Sequence, residues 1–186
     1  MRLRIISLAL VLALYLGMTA FAEECFTFRN GVHLGMTYDE IVAAEGSEPD
    51  YVYENTLWYG PVDLCGLDYD TYLVYYLDAA EKLGIALYYN DENGTEVADY
   101  MKATLSSVYG ECEPGTVQEL RSAVNDYWDG VMEDIFDYYT TNVLRWDMGD
   151  TYVYYVNYSY SSDGRGGGLA VIYVDPAKCV YNTSGL

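Results

Sequence analysis

Three stretches of this chain are apolar or aromatic on both of the sides that a strand presents: TYLVYYL (71–77), GIALYY (84–89) and TYVYYVNYSY (151–160). Successive strand residues point to opposite faces. In the last stretch Tyr152, Tyr154, Val156, Tyr158 and Tyr160 share one face, and Val153, Tyr155 and Asn157 share the other. Such strands belong in the middle of a sheet or beneath cover on both sides. YVYENTLWY (51–59), TTNVLRW (140–146) and LAVIYV (169–174) complete the strand set, each rich in β-branched or aromatic residues and bounded by turn formers.

Helical signals lie between these runs. Thr37 with Glu40 has the spacing of a capping box, Met36 and Ile41 are placed for a hydrophobic staple, and Gly46 suits a left-handed C-cap. A second helix follows NDENG. Its stripe is Val97, Tyr100, Met101, Thr104, Leu105, Val108 and Tyr109, capped by Asn93 and closed by Gly110. A third opens at Thr116 with Glu119, carries Val117, Leu120, Val124, Tyr127 and Trp128, and is followed by a helical piece over 131–139. The order of one helix, three strands, two or three helices and three strands is segregated rather than alternating. It predicts an α+β domain of short helices packed on one face of a largely antiparallel sheet of about six strands. The two halves echo each other as helix then sheet, so the domain also reads as two fused helix-sheet modules.

Residues 1–22 have the form of a secretory signal, with Arg2 and Arg4, an apolar run from Ile5 to Leu16, and an Ala20-Phe21-Ala22 cleavage site. Cleavage near Ala22 leaves a secreted chain over 23–186 with no membrane span. Net charge is −20 before the two arginines are removed. That balance argues against nucleic acid and favours a basic partner. Cys25, Cys65, Cys112 and Cys179 are an even set in an exported chain, which reads as two disulfides with three pairings open. A Cys25–Cys179 bridge would tie the two ends together.

The segment FTFRNGVHLGMTYDEIVAAEG resembles the signature of small exported proteins of the SmpA/OmlA type and of the beta-lactamase inhibitory protein superfamily. It is most similar to uncharacterised secreted proteins of anaerobic Gram-positive bacteria. Phe28, Gly31, Gly35, Met36, Thr37, Glu40 and Gly46 carry the likeness, and Tyr109, Gly110 and Pro114 of SSVYGECEP echo it more weakly. The resemblance implies helices on an antiparallel sheet and non-enzymatic work: binding, inhibiting or helping to assemble another protein.

No residue set specifies catalysis. His33 is the single histidine and lacks a nucleophile motif around it. The NDENGTE segment places Tyr89 and Tyr100 where a calcium loop needs oxygen ligands, so no metal or cofactor is expected. Asp147 and Asp150 flank a turn glycine, where Asp is common. Tyrosine is the conspicuous residue, with 23 copies, and its rigid amphipathic ring suits interfaces. The binding residues expected from the sequence are Tyr152, Tyr154, Tyr158, Tyr160 and Trp146, on a sheet face meeting another secreted or surface protein. A carbohydrate-binding module is one alternative, since aromatic rings stack on sugars. An extracellular hydrolase, with a pocket holding His33 or paired carboxylates, is another.

Overall fold

The computed structural model describes residues 25–67, 70–90, 95–124, 139–159 and 167–179. The signal segment 1–22, the Asn93 cap, Tyr127, Trp128, the helical piece before Tyr139 and Tyr160 lie outside the described residues. The strands are β1 (Tyr51–Tyr53), β2 (Thr56–Val62), β3 (Thr71–Leu77), β4 (Leu83–Asn90), β5 (Glu113–Pro114), β6 (Tyr139–Asp147), β7 (Tyr152–Ser159) and β8 (Gly167–Val174). The helices are α1 (Tyr38–Glu45), α2 (Thr95–Tyr109) and α3 (Val117–Val124). The α+β class therefore stands, with short helices on one antiparallel sheet.

Strand order is β1-β2-β3-β4-β8-β7-β6-β5. Each half is a run of antiparallel neighbours, and the two runs meet where β4 pairs with β8. The sheet has eight strands rather than six for two reasons. YVYENTLWY is a hairpin, not one strand: Glu54 takes a left-handed φ of 50° and Tyr53 pairs with Thr56. The second addition is β5, two residues of the segment linking α2 to α3 that pair with Arg145 and Leu144.

Strand pairing assigns every side chain to a face. On the first face Leu57, Leu73, Tyr75, Ala86, Tyr155, Val171 and Tyr173 form a core with Ile41 of α1 and Met101 and Leu105 of α2. On the second, Val74, Tyr76, Ile85, Leu87, Tyr154, Val156 and Ile172 surround Leu120 of α3. The helices thus cover both faces of the sheet rather than the single face expected. A helical stripe specifies an apolar side but not which face of a sheet it meets. The α2 stripe is also narrower than its sequence pattern, since Tyr100 and Val108 are exposed.

The segment from Phe28 to Gly46 behaves as its residues dictate. The Thr37 side chain accepts from the Glu40 N–H while the Thr37 N–H donates to Glu40, and Gly46 has φ 74°. Gly35 N–H donates to the Leu83 carbonyl, and Leu83 N–H donates to the Met36 carbonyl. The segment is thereby tied to the start of β4. LDAAEKLG (77–84) spans the β3–β4 connection, with Asp78 accepting from the Ala80 and Lys82 amides. Thr116 and Glu119 form the same reciprocal cap on α3.

Below the first face, α1 is fastened by a buried carboxylate. Glu45 accepts hydrogen bonds from the Tyr75 hydroxyl and from the Asn30 amide at 2.8 Å, and its carboxylate forms an ion pair with Arg29, whose Nε lies 3.1 Å away. Its side chain is 2% exposed and that of Arg29 is 32% exposed.

The expected disulfides are overturned. Cys25, Cys65, Cys112 and Cys179 are all free. Cys65 and Cys112 border the first-face core, whereas Cys179 packs on the second face beside Tyr154. Cys25 is exposed, so the bridge joining the two ends is absent too. Burial raises the Cys65 thiol and pushes that of Cys179 up to about 11. Both therefore favour the protonated, unreactive form.

Candidate interaction surface

The tyrosines and tryptophan expected to bind do not form one surface. Trp146 lies on the first face, buried, with its Nε1–H donating to the Gly110 carbonyl at 3.0 Å. Tyr154 and Tyr158 are on the second face but are themselves buried. Tyr154 sits with Leu120 and Cys179 in one cluster. Tyr158 lies so close to Gly168 that a Cβ there would stand 2.5 Å from its hydroxyl. Only Tyr152 is partly open, and Tyr160 lies outside the described residues. Period-two spacing put these tyrosines on one face correctly, but said nothing of what packs over it.

The exposed strand aromatics are elsewhere on that same second face. Tyr51, Tyr53 and Tyr72 are 58%, 55% and 40% exposed. Register places them together: Tyr51 opposes Trp58, Trp58 opposes Val74, and Tyr72 opposes Tyr89. Tyr51 and Tyr53 have nearly parallel rings 6.4 Å apart. Tyr72 stacks on Tyr89 at 5.6 Å, and Trp58 meets Tyr89 edge-on at 6.2 Å. Gly60 makes room for this arrangement, because a Cβ there would stand 2.7 Å from the Tyr72 ring. The result is five aromatic side chains across β1 to β4, at the outer end of the sheet. Sequence reasoning passed over them, although Tyr-Val-Tyr between Asp50 and Glu54 already showed alternating rings flanked by acids.

The local charge is one-sided. No Lys or Arg occurs between Arg29 and Lys82. Asp50 accepts the Gly60 N–H at 2.9 Å just before Tyr51, and exposed Glu54 sits in the turn after Tyr53. At the opposite end of the same face, Tyr152 carries a cation: the Arg145 guanidinium lies 4.8 Å from its ring centroid. Glu113 at 2.7 Å and Glu119 at 3.4 Å hold that guanidinium.

Other candidate chemistry resolves into structural roles. His33 Nδ1 lies 2.8 Å from the Leu34 carbonyl, a contact with its own neighbour. A cleft of about 590 Å³ brings Cys25, Asp78, Lys82, Asp150 and Asp175 together. Its carboxylates are occupied by backbone donors: Asp78 as above, Asp150 by the Phe26 N–H and Asp175 by the Ala177 N–H. Asp147 accepts from the Gly149 N–H, the turn role expected for it. Among the described residues no group of three or more His, Cys, Asp or Glu is arranged to hold a metal ion. No described helix is long and apolar enough to cross a membrane.

Comparison with protein families, curated proteins and solved structures finds no match to this chain.

Proposed function

We propose that the protein is a secreted, non-catalytic module that binds another secreted or surface protein through the aromatic end of its sheet. The supporting observation is the exposure on one face of Tyr51 and Tyr53 from β1 and of Tyr72 from β3, two strands away. Large exposed rings grouped on a rigid strand scaffold are the usual anchors of protein interfaces. The likeness of the Phe28–Gly46 segment to exported inhibitory and assembly proteins points the same way, and the signal-like residues 1–22 supply the route out of the cell.

The test is a capture experiment on secreted and surface proteins from the same habitat, comparing wild type with the triple variant Tyr51→Ser, Tyr53→Ser, Tyr72→Ser. The expected result is a specific partner lost from the variant. An identical captured set would refute the assignment of this surface. A second reading as a carbohydrate-binding module rests on the nearly parallel Tyr51 and Tyr53 rings, which suit stacking on a sugar. Ring-dependent binding to a glycan panel, without a protein partner, would favour it instead.

A further inference from the structure

The sheet contains an internal template for what its aromatic end receives. Leu87 and Ile172 pair at the β4·β8 junction, and each half can be followed outward from that pair. Two residues along β4 is Tyr89, whose β3 neighbour is Tyr72; two residues along β8 is Val174, whose β7 neighbour is Tyr152. Tyr72 and Tyr152 therefore hold corresponding places in the two halves. By the same count Trp58 corresponds to Arg145, and Tyr51 to Glu113.

At the β5–β7 end the tyrosine ring is covered by a guanidinium that carboxylates hold in place. At the β1–β3 end the ring is present, and an aromatic side chain replaces the arginine. Exposed Asp50 and Glu54 flank β1, and the chain from residue 30 to residue 81 supplies no Lys or Arg of its own. An aromatic face attracts a cation through its quadrupole, more strongly when water is excluded. Carboxylates beside a site raise the local concentration of such a ligand.

Building on the function proposed above, we infer that the Tyr51–Tyr53–Tyr72 surface receives Arg and Lys side chains from a basic segment of the partner protein. The cations lie over the rings, and Glu54 at the turn is the nearest exposed carboxylate in sequence to Tyr53. β1 is only three residues long, which leaves little free edge for adding a strand. The rings rather than the backbone edge are therefore the recognition element.

The test is calorimetric titration of the full mature chain with a short alternating Arg-Ser peptide, its citrulline counterpart and a Glu-Ser peptide. Salt is kept at about 0.15 M, where the screening length is about 8 Å. The Arg peptide is expected to bind and the other two are not. The Tyr51→Ser, Tyr53→Ser, Tyr72→Ser variant, which has unchanged charge, is expected to weaken binding about tenfold or more, because each ring–cation contact contributes a few-fold. Tyr100→Ser with Val108→Ser, on the exposed side of α2, is expected to leave binding unchanged. Equal affinity of the ring variant for the Arg peptide would overturn the inference, since the general negative field would then explain the binding. A wild type that binds none of the peptides would overturn it as well. Aromatic NMR shifts of Tyr51, Tyr53 and Tyr72 in the wild type serve if the variant folds poorly: rings that move on titration support the inference, and unmoved rings sink it. If the Arg peptide fails while the ring variant still loses a captured partner, the cation-binding inference falls and the protein-binding function stands.

Discussion

Replacing Glu45 with Ala sets two physical arguments against each other. Glu45 is the last residue of α1, where a negative charge opposes the helix dipole, and Ala is the better helix former. Local reasoning therefore expects the change to stabilise by about 0.5 kcal/mol. The tertiary contacts expect the reverse. The carboxylate is buried, accepts hydrogen bonds from Tyr75 and Asn30, and is ion-paired with Arg29. Losing it strands the hydroxyl of a fully buried tyrosine, at a cost of about 1–3 kcal/mol. It also breaks an ion pair whose arginine is about one-third exposed and regains water, so that contribution is discounted to about 1 kcal/mol. The net expectation is a loss of about 2–3 kcal/mol. Urea unfolding followed by tryptophan fluorescence would read this as a midpoint lowered by about 1 M at an unchanged slope. A double-mutant cycle with Tyr75→Phe should give a coupling of about 1 kcal/mol. A stability equal to or above wild type would refute the view that this network fastens α1 to the sheet.

Three further outcomes are expected. Gly168→Ala should destabilise by about 3 kcal/mol or more in the same urea assay, because the new Cβ would stand 2.1 Å from the Asn90 carbonyl in a paired backbone that cannot yield; a loss under about 1 kcal/mol would contradict that packing. Buried tyrosines should make the fold sensitive to alkali. Burial, with Glu45 nearby, pushes Tyr59 up to about 12, and burial raises Tyr76, Tyr88 and Tyr173 as well. Their folded values lie above the unfolded value of about 10, so this stability is complete below pH ~10 and is lost as pH rises toward 12, by about 1.4 kcal/mol per unit per tyrosine. Absorbance at the phenolate band should then rise cooperatively with unfolding, and gradual ionisation of every tyrosine without unfolding would argue against it. Finally, a thiol reagent should modify exposed Cys25 quickly and Cys179 slowly, with all four thiols reacting after denaturation; two or fewer reactive thiols in the denatured, unreduced chain would contradict the free cysteines.

What could be read from the sequence follows the range of the interactions. The Thr37–Glu40 and Thr116–Glu119 caps were legible because each is closed within four consecutive residues. So was the central or covered position of these strands, since TYLVYYL and TYVYYVNYSY leave no polar face, although which helix lies on which face was not. The β1–β2 hairpin was hidden because its turn is Glu54-Asn55, with no glycine to supply the positive φ. The Glu45–Tyr75 contact spans 30 residues, and no periodicity reports it. The exposure of the tyrosines was misjudged for a related reason. Tyr51-Val52-Tyr53 and Tyr152-Val153-Tyr154 are the same pattern, and one is open while the other is buried. The difference lies in α3 and the β5 link, whose position on the second face is a tertiary outcome.

The place of β8 carries a consequence for how the chain reaches this structure. It is the last strand in sequence order, yet it lies in the middle of the sheet with β4 on one side and β7 on the other. Until residues 167–174 leave the ribosome, the first four strands and β6–β7 are two separate ribbons, each ending in an unpaired apolar edge. A nascent or truncated chain lacking β8 would expose both edges at once, and these are the templates on which strands from different molecules pair. Aggregation of chains shortened before residue 167 is the behaviour this topology imposes.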